Sequence, residues 1–484
     1  MKDINFKLVT NTLGIALIFE SLFMLVDVPI SLLYGGTDAF AIGLSFLITL
    51  GVGGVMVLLT RRNLKKEPAL RDSFLVVVLV WIFMSLLGTL PYLLSNSIPR
   101  FVDAFFETVS GFTTTGSSIL IDIEALPKGI LFWRAETHWI GGMGIIVLVI
   151  AIMPYFRVGG QHLMIAEGSF FGVDKIKPRF IDVAKRLWFI YLVLTVAETI
   201  LLMAGGMDWF DSVCHSFATV ATGGFSTKNT SAMDFSPYIQ YVLIIFMALS
   251  GMNFSLHYFF VHKRWKAVFQ NEEFKVYWGI LILVSVFLTF KVLHFYHGDV
   301  EEAFRQSAFQ VVSIITATGF SSADYSQWPP MAILVIFFIM FIGASVGSTG
   351  GGIKVARHLI MFKNARRIFH RMISRHSVVQ VRYNKQVVSE RVILSIYSFA
   401  FIYFLTFLIG SIIMMETGLD YKSAFSSVIT TLGGIGPGLG KVGPANNFSG
   451  ITDFGKYYLS FNMILGRLEI LSVLAIFTPS FYKT

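Results

Sequence analysis

The runs Thr113-Thr114-Thr115-Gly116, Ala221-Thr222-Gly223-Gly224, Thr316-Ala317-Thr318-Gly319 and Leu432-Gly433-Gly434-Ile435-Gly436 interrupt four long apolar stretches of this chain. Each is too polar and too glycine-rich to face lipid. Irregular backbone at membrane depth is tolerated only where it is buried in protein or lines a water-filled path, because every unpaired amide or carbonyl in hydrocarbon costs several kcal/mol. Four such runs in one chain point to one shared pore.

The surrounding composition sets the solvent. The chain has 484 residues, 55% of them hydrophobic and only 14% charged, with a mean hydropathy of +0.70. A soluble globular protein of this size does not carry that balance. Segments long enough to cross a bilayer, roughly 20 residues each, lie near 8–33, 39–60, 73–95, 130–153, 186–204, 238–261, 276–296, 331–360, 391–415 and 457–478. The expectation is ten spans. The opening Met1-Lys2-Asp3 leads straight into the first of them without a small-residue cleavage site, which reads as a retained span. Lys and Arg concentrate in alternate connections, with ten in 354–391. The positive-inside rule then places both termini in the cytoplasm. The net charge of +9 is assigned to loops beside an anionic leaflet, and no nucleic-acid partner is expected. The single Cys214 excludes an internal disulfide and reads as a small core residue.

Each Thr/Gly run follows an amphipathic stretch of about 10–15 residues, too short to span and therefore a candidate re-entrant helix. Phe106 and Val109 precede Gly116 by ten and seven residues, Cys214 and Phe217 precede Gly224 likewise, and so do Phe309 and Val312 before Gly319. In the fourth stretch Phe425 and Val428 lie eleven and eight residues before Gly436, so its equivalence is open. Repeats of roughly 95–117 residues that cannot bury their polar backbone singly must assemble around a common axis. The expected fold is an all-α polytopic membrane protein. It has four tandem span, re-entrant helix, span repeats around one pore, plus an N-terminal helix hairpin. The division is 1–66 for the hairpin, then 67–160, 161–270, 271–385 and 386–484 for the four repeats. Acids open the re-entrant stretches: Asp103 and Glu107, Asp208 and Asp211, Glu301 and Glu302, then Asp420. They complement the helix dipole or concentrate cations at an outer rim.

A cation enters such a path only if oxygens replace its hydration shell, and rings of backbone carbonyls do this without trapping it. Glycine supplies the positive φ that turns carbonyls inward. The candidate ion-contacting residues are Thr114, Thr115, Gly116, Thr222, Gly223, Gly224, Ala317, Thr318, Gly319, Gly434, Ile435 and Gly436. Below them, Gly343-Ala344-Ser345-Val346-Gly347-Ser348-Thr349-Gly350-Gly351-Gly352 breaks an apolar span after only twelve residues, as a flexible linker at membrane depth. It does not satisfy the phosphate-loop pattern, because Ile353 follows Gly352 and Val355 follows Lys354. Arg467 stands inside the last apolar span, where a cation is a functional hypothesis by default. An ion pair with Glu469 is disfavoured because i and i+2 do not share a helix face. His138, His215, His257 and His294 have no metal-ligand spacing and read as packing residues, and no nucleophile-base constellation points to an enzyme.

The four runs, with Trp139-Ile140-Gly141-Gly142-Met143-Gly144, Gly223-Gly224-Phe225-Ser226, Leu439-Gly440, Gly347-Ser348-Thr349-Gly350-Gly351-Gly352-Ile353-Lys354 and Gly466-Arg467-Leu468-Glu469, resemble the Trk/Ktr/HKT superfamily of potassium uptake proteins. Within it they resemble the bacterial TrkH/TrkG-type pore-forming subunit. The resemblance implies K⁺ as the transported ion and no prosthetic group, in a bacterial inner membrane protein. It implies Gly116, Gly224, Gly319 and Gly436 as filter glycines, with Gly116 rather than Ser pointing to K⁺ over Na⁺. It further implies a gate built from Gly343, Gly347, Ser348, Thr349, Gly350, Gly351, Gly352, Lys354 and Arg467, a homodimer, and a cytosolic ring of nucleotide-binding (RCK-type) regulatory subunits. A coupled transporter driven by Na⁺ or H⁺ is the alternative; its mid-span acids here would be Asp27, Glu136, Glu198 and Glu469.

Overall fold

The computed structural model describes residues 4–60, 70–152, 180–374 and 379–482. Helices dominate. An opening hairpin, α1 (Phe6–Leu33) and α2 (Ala39–Thr60), is followed by α3 (Leu70–Leu87), the single turn α4 (Leu90–Leu94), a short buried helix α5 (Phe101–Phe112) and a long helix α6 (Lys128–Ile152). The pattern returns as α7 (Phe180–Ala204), α8 (Trp209–Val220), α9 (Pro237–Ser250) and α10 (Phe254–Val261), with α11 (Trp265–Gln270) as a connector. It returns again as α12 (Glu272–Val292), α13 (Val300–Ile315), α14 (Pro330–Ile339) and α15 (Val355–Ile373). The last set is α16 (Glu390–Glu416), α17 (Tyr421–Gly433), α18 (Asp453–Arg467) and α19 (Ile470–Ile476), ending in α20 (Pro479–Tyr482).

The short helices α5, α8, α13 and α17 have 12, 12, 16 and 13 residues. At 1.5 Å per residue they reach roughly 18–24 Å, less than a hydrocarbon core. Side-chain caps start three of them: Asp208 accepts from the Asp211 amide, Asp299 from Glu302, and Asp420 from Ser423. Each satisfies an orphan amide of the first turn. The apolar faces of these helices supply the centre of the main core, including Phe106, Val109, Phe309, Val312, Val428 and Ile429. The long helices around them leave Leu33, Phe40, Leu59, Phe290 and Phe401 exposed, a surface suited to lipid and not to water.

Among the described residues six helices are long and apolar enough to cross a membrane, or up to eight if each bent pair counts as one span. The segment at 238–261 bends by 101° between α9 and α10, and that at 457–478 by 113° between α18 and α19. Glycine and short polar breaks at Gly251-Met252-Asn253 and Leu468-Glu469 let backbone groups turn toward protein rather than lipid, which hydropathy alone does not register. The segment at 331–360 carries only the ten-residue α14 as continuous apolar helix. The chain also departs from pure helix at a two-residue antiparallel ladder, β1 (Arg382–Tyr383) with β2 (Gln386–Val387). Two of the expected domain limits, 66/67 and 160/161, fall outside the described residues.

Candidate functional site

The four Thr/Gly runs adopt one backbone conformation. Thr114, Thr222, Ala317 and Gly434 all take positive φ, between 53° and 67°, and two residues later Gly116, Gly224, Gly319 and Gly436 do so again, between 78° and 97°. The intervening amides close the same helix-terminating bond five residues back: Thr115 to Ser110 O at 2.9 Å, Gly223 to Ala218 O at 2.7 Å, Thr318 to Ser313 O at 2.8 Å and Ile435 to Thr430 O at 2.8 Å. This is the Schellman arrangement, in which a left-handed residue reverses the chain at a helix end. It resolves the fourth repeat. Gly436 is the counterpart of the other three glycines, and Ser426 and Ile429, not Phe425 and Val428, occupy the places of Phe106 and Val109.

The runs close on one another in chain order. A Cβ added to Gly116 would strike the Gly223 carbonyl, one on Gly224 the Thr318 carbonyl, one on Gly319 the Ile435 carbonyl, and one on Gly436 would lie 2.8 Å from the Thr115 carbonyl. Each glycine thus abuts the carbonyl preceding the next glycine around a ring. Hydroxyl pairs stiffen two of the runs, Thr113 with Thr115 and Thr316 with Thr318, both at 2.8 Å, and Ser117 donates to the Gly436 carbonyl at 3.1 Å. An open pocket lies over the ring, lined by Gly116, Ser117, Gly224, Gly319, Pro437 and Asn446 among others.

Behind the ring sits a set of residues that the motif search did not reach. The buried pair Arg134–Glu107 meets at 2.7 Å. Arg134 also donates to the Ser226 carbonyl at 2.8 Å, while Glu107 accepts from the Ser118 hydroxyl and the Ile119 amide, both at 2.9 Å. One ion pair therefore ties the first short helix to the strands leaving two of the four runs. The Phe225 ring lies between the Arg134 guanidinium, 3.5 Å from its centroid, and the stacked His138 ring at 4.0 Å. A cation inside the apolar span 130–153 was the available signal, the same one that drew attention to Arg467.

Other acids at the starts of the short helices are engaged too. Asp103 bonds Lys456 at 2.5 Å, Asp211 pairs with Lys228 at 3.1 Å and Glu301 with Arg305 at 2.9 Å. With Asp208 and Asp420 as caps, five of these acids serve the helices themselves. Hydrogen bonds from Ser423 hold the Asp420 carboxyl below the usual carboxylate range. His215 bonds the Asp211 carbonyl and the Ser226 hydroxyl, and His257 bonds the Leu249 carbonyl, as packing residues should. Among the described residues no three His, Cys, Asp or Glu side chains gather into a metal site, and Cys214 is buried.

The glycine-rich segment lies directly under the ends of the short helices. The Thr349 hydroxyl donates to the Val220 carbonyl at 3.1 Å, a Cβ on Gly350 would stand 2.5 Å from the Thr316 carbonyl, and one on Gly351 would strike the Gly433 carbonyl. The segment is pinned by backbone bonds from Gly343 to Ile353 O at 2.9 Å and from Phe254 to Gly347 O at 3.0 Å, and by Lys354, which donates to the Gly350 carbonyl. Ser348 is buried and bonds back to the Ser345 carbonyl at 2.6 Å, and Gly352 takes a φ of 71°. Arg467, also buried, donates to the Thr349 carbonyl at 2.7 Å and to the Gly141 carbonyl at 2.9 Å. Glu469 is not its partner: it pairs with Arg357 at 2.8 Å.

This geometry coincides with a match over most of the chain: residues 38–481 fit the family model described as "TrkH: Cation transport protein". The chain belongs to the TrkH family of cation transport proteins. It is 37% identical over 484 residues to the Trk system potassium uptake protein TrkH of Escherichia coli K12, covering 99% of this chain and 100% of that protein. It is 32% identical to TrkG of the same organism, over the full length of both. The crystal structure of the potassium transporter TrkH from Vibrio parahaemolyticus superposes with a TM-score of 0.90 at 35% identity, covering 99% of this chain and all of that one. As a TrkH-family chain the protein is a transporter and not an enzyme.

Proposed function

We propose that this TrkH-family protein takes up K⁺ through a channel-like path in a bacterial inner membrane. Its ion selection rests on Thr114, Thr115, Gly116, Thr222, Gly223, Gly224, Ala317, Thr318, Gly319, Gly434, Ile435 and Gly436. The observation that carries this reading is the closed ring of four runs sharing one positive-φ pattern. Alternating left-handed residues re-aim successive carbonyls, which supplies several oxygens to a dehydrated cation at moderate field strength. The segment Gly343–Gly352, Lys354 and Arg467 form the gate beneath it. The homodimer, the cytoplasmic termini and the cytosolic nucleotide-binding partner belong to the same proposal, supported by the relatives' membership of Trk potassium uptake systems.

The test is flux in liposomes with K⁺ and Na⁺ gradients varied independently. Gly116→Ser should lower the K⁺/Na⁺ ratio, because the new Cβ meets the Gly223 carbonyl. An unchanged ratio in folded protein would remove Gly116 from the filter. One observation favours a second reading, a transporter coupled to Na⁺ or H⁺: the carboxyls of Glu20, Asp27 and Glu198 are fully buried within α1 and α7. A reversal potential that follows only the K⁺ gradient would exclude it.

A further inference from the structure

The loop beneath the ring is held not only from above by Arg467 but also from the far side, by a contact that no motif indicates. At the start of α12, Glu273 is buried and uses both carboxylate oxygens. Oε1 accepts from the Val346 amide, in the middle of the glycine-rich loop, at 2.7 Å, and Oε2 accepts from the Tyr383 hydroxyl at 3.1 Å. Tyr383 belongs to the small ladder, where it pairs with Gln386 across a two-residue turn at Asn384 and Lys385, both with positive φ, the geometry of a tight hairpin. The Val346 side chain is buried in the same apolar cluster as Val381, Tyr383, Val388 and Ile393. Side chain and backbone of this one loop residue therefore both end in the hairpin.

The hairpin is in turn fastened to the body. The Glu272 amide donates to the Asn384 side-chain oxygen at 2.8 Å, the Asn384 amide returns a bond to Glu272 at 3.1 Å, and Lys363 of α15 bonds Glu272 at 2.5 Å and the Arg382 carbonyl at 2.8 Å. Its tip residues Lys385, Gln386 and Val387 remain exposed. We propose that Glu273 is a positioning residue coupling the hairpin at 381–388 to the Gly343–Gly352 loop. The hairpin is then a handle, reachable from solvent, by which the loop is kept under the ring or let go. This rests on the reading of the loop as the gate. Bonds to a buried carboxylate lose most of their value when one partner is displaced, and a packed two-state contact transmits displacement where a flexible tether would not.

The single native cysteine is buried, which permits a clean test by thiol labelling. In a Cys214→Ser background, Val346→Cys is reacted with a charged, membrane-impermeant maleimide, alone and combined with Glu273→Ala, Tyr383→Phe, Glu273→Gln or the exposed control Gln386→Ala. Labelling should be slow in the parent and rise on the order of tenfold with Glu273→Ala. A smaller rise is expected for Tyr383→Phe, and rates near the parent for Gln386→Ala and for Glu273→Gln, whose amide keeps an acceptor for Val346 and a donor for Tyr383. If Glu273→Ala leaves the site as protected as in the parent, the proposal is overturned. Should that variant not elute as folded protein, Tyr383→Phe decides in the same way. K⁺ flux of the same substitutions without Val346→Cys separates the two readings. Faster labelling with unchanged flux upholds the positioning role and removes the loop as gate. Unchanged labelling while Arg467→Ala raises flux does the reverse.

Discussion

Replacing Arg467 by Ala removes two things at once. The first is a latch. The guanidinium donates to the Thr349 and Gly141 carbonyls at 2.7 and 2.9 Å, and bonds from a charged group contribute about 1.5–3 kcal/mol each. Desolvation of a buried cation offsets much of that sum, because Glu469, the nearest carboxylate in sequence, is committed to Arg357. A net latch of about 1.4 kcal/mol already changes the population of a released loop tenfold. The second, on the proposed gate reading, is a like charge on the ion path: at about 4 Å and an effective dielectric near 20, it would oppose K⁺ by roughly 4 kcal/mol. The barrier should therefore fall by about 1.4 to 4 kcal/mol, raising K⁺ flux about tenfold to roughly a thousandfold. Arg467→Lys keeps the charge but not the fork that reaches two carbonyls, so its flux should lie between the two. The assay is Rb⁺ or K⁺ flux into liposomes at equal protein density with no partner present. An Arg467→Ala protein that elutes as folded and conducts no better than the parent would refute the reasoning.

Deleting part of Gly347–Gly352 should also raise flux, and combined with Arg467→Ala it should not exceed the larger single effect if both belong to one barrier, since residues in one network are not additive. Glu107→Ala leaves Arg134 buried without its carboxylate partner, so thermal unfolding should register a loss of about 3–5 kcal/mol, well beyond the loss on breaking the exposed ion pair of Arg100 with Asp453, which meets at 2.6 Å. Asp420→Ala removes the cap of the fourth short helix and should cost about 1 kcal/mol in a denaturation curve. Because the Asp420 carboxyl is held below its ordinary range, its contribution is complete above the ordinary Asp pKa of about 3.9 and fades as pH falls through the depressed value. The difference between parent and Asp420→Ala should vanish in acid; a gap that persists there would show the cap is not ionic.

The membrane solvent, the four interrupted stretches and the residues that interrupt them were legible in the sequence because they depend on composition and short-range spacing. A Thr/Gly run that is neither lipid-facing nor helical has few places to go, and Arg467 announces itself by its cost in an apolar segment. What sits next to what was not legible. At the 101° bend backbone groups find partners in another repeat, Ser345 to Gly251 O and Phe254 to Gly347 O, and at the 113° bend Glu469 pairs with Arg357; hydropathy averages over both. The alignment of the fourth repeat turned on side-chain landmarks that were one residue out of step, whereas left-handed φ at Gly434 and Gly436 and the Ile435 bond to Thr430 place it without ambiguity. The link from Arg134 to Ser226 spans 92 residues, that from Glu273 to Val346 spans 73, and that from Arg467 to Gly141 spans 326. No local pattern encodes such pairings. They exist because a buried charge must be satisfied by whatever carbonyl or amide the assembled ring brings within reach, and only the closed tertiary structure determines which one that is.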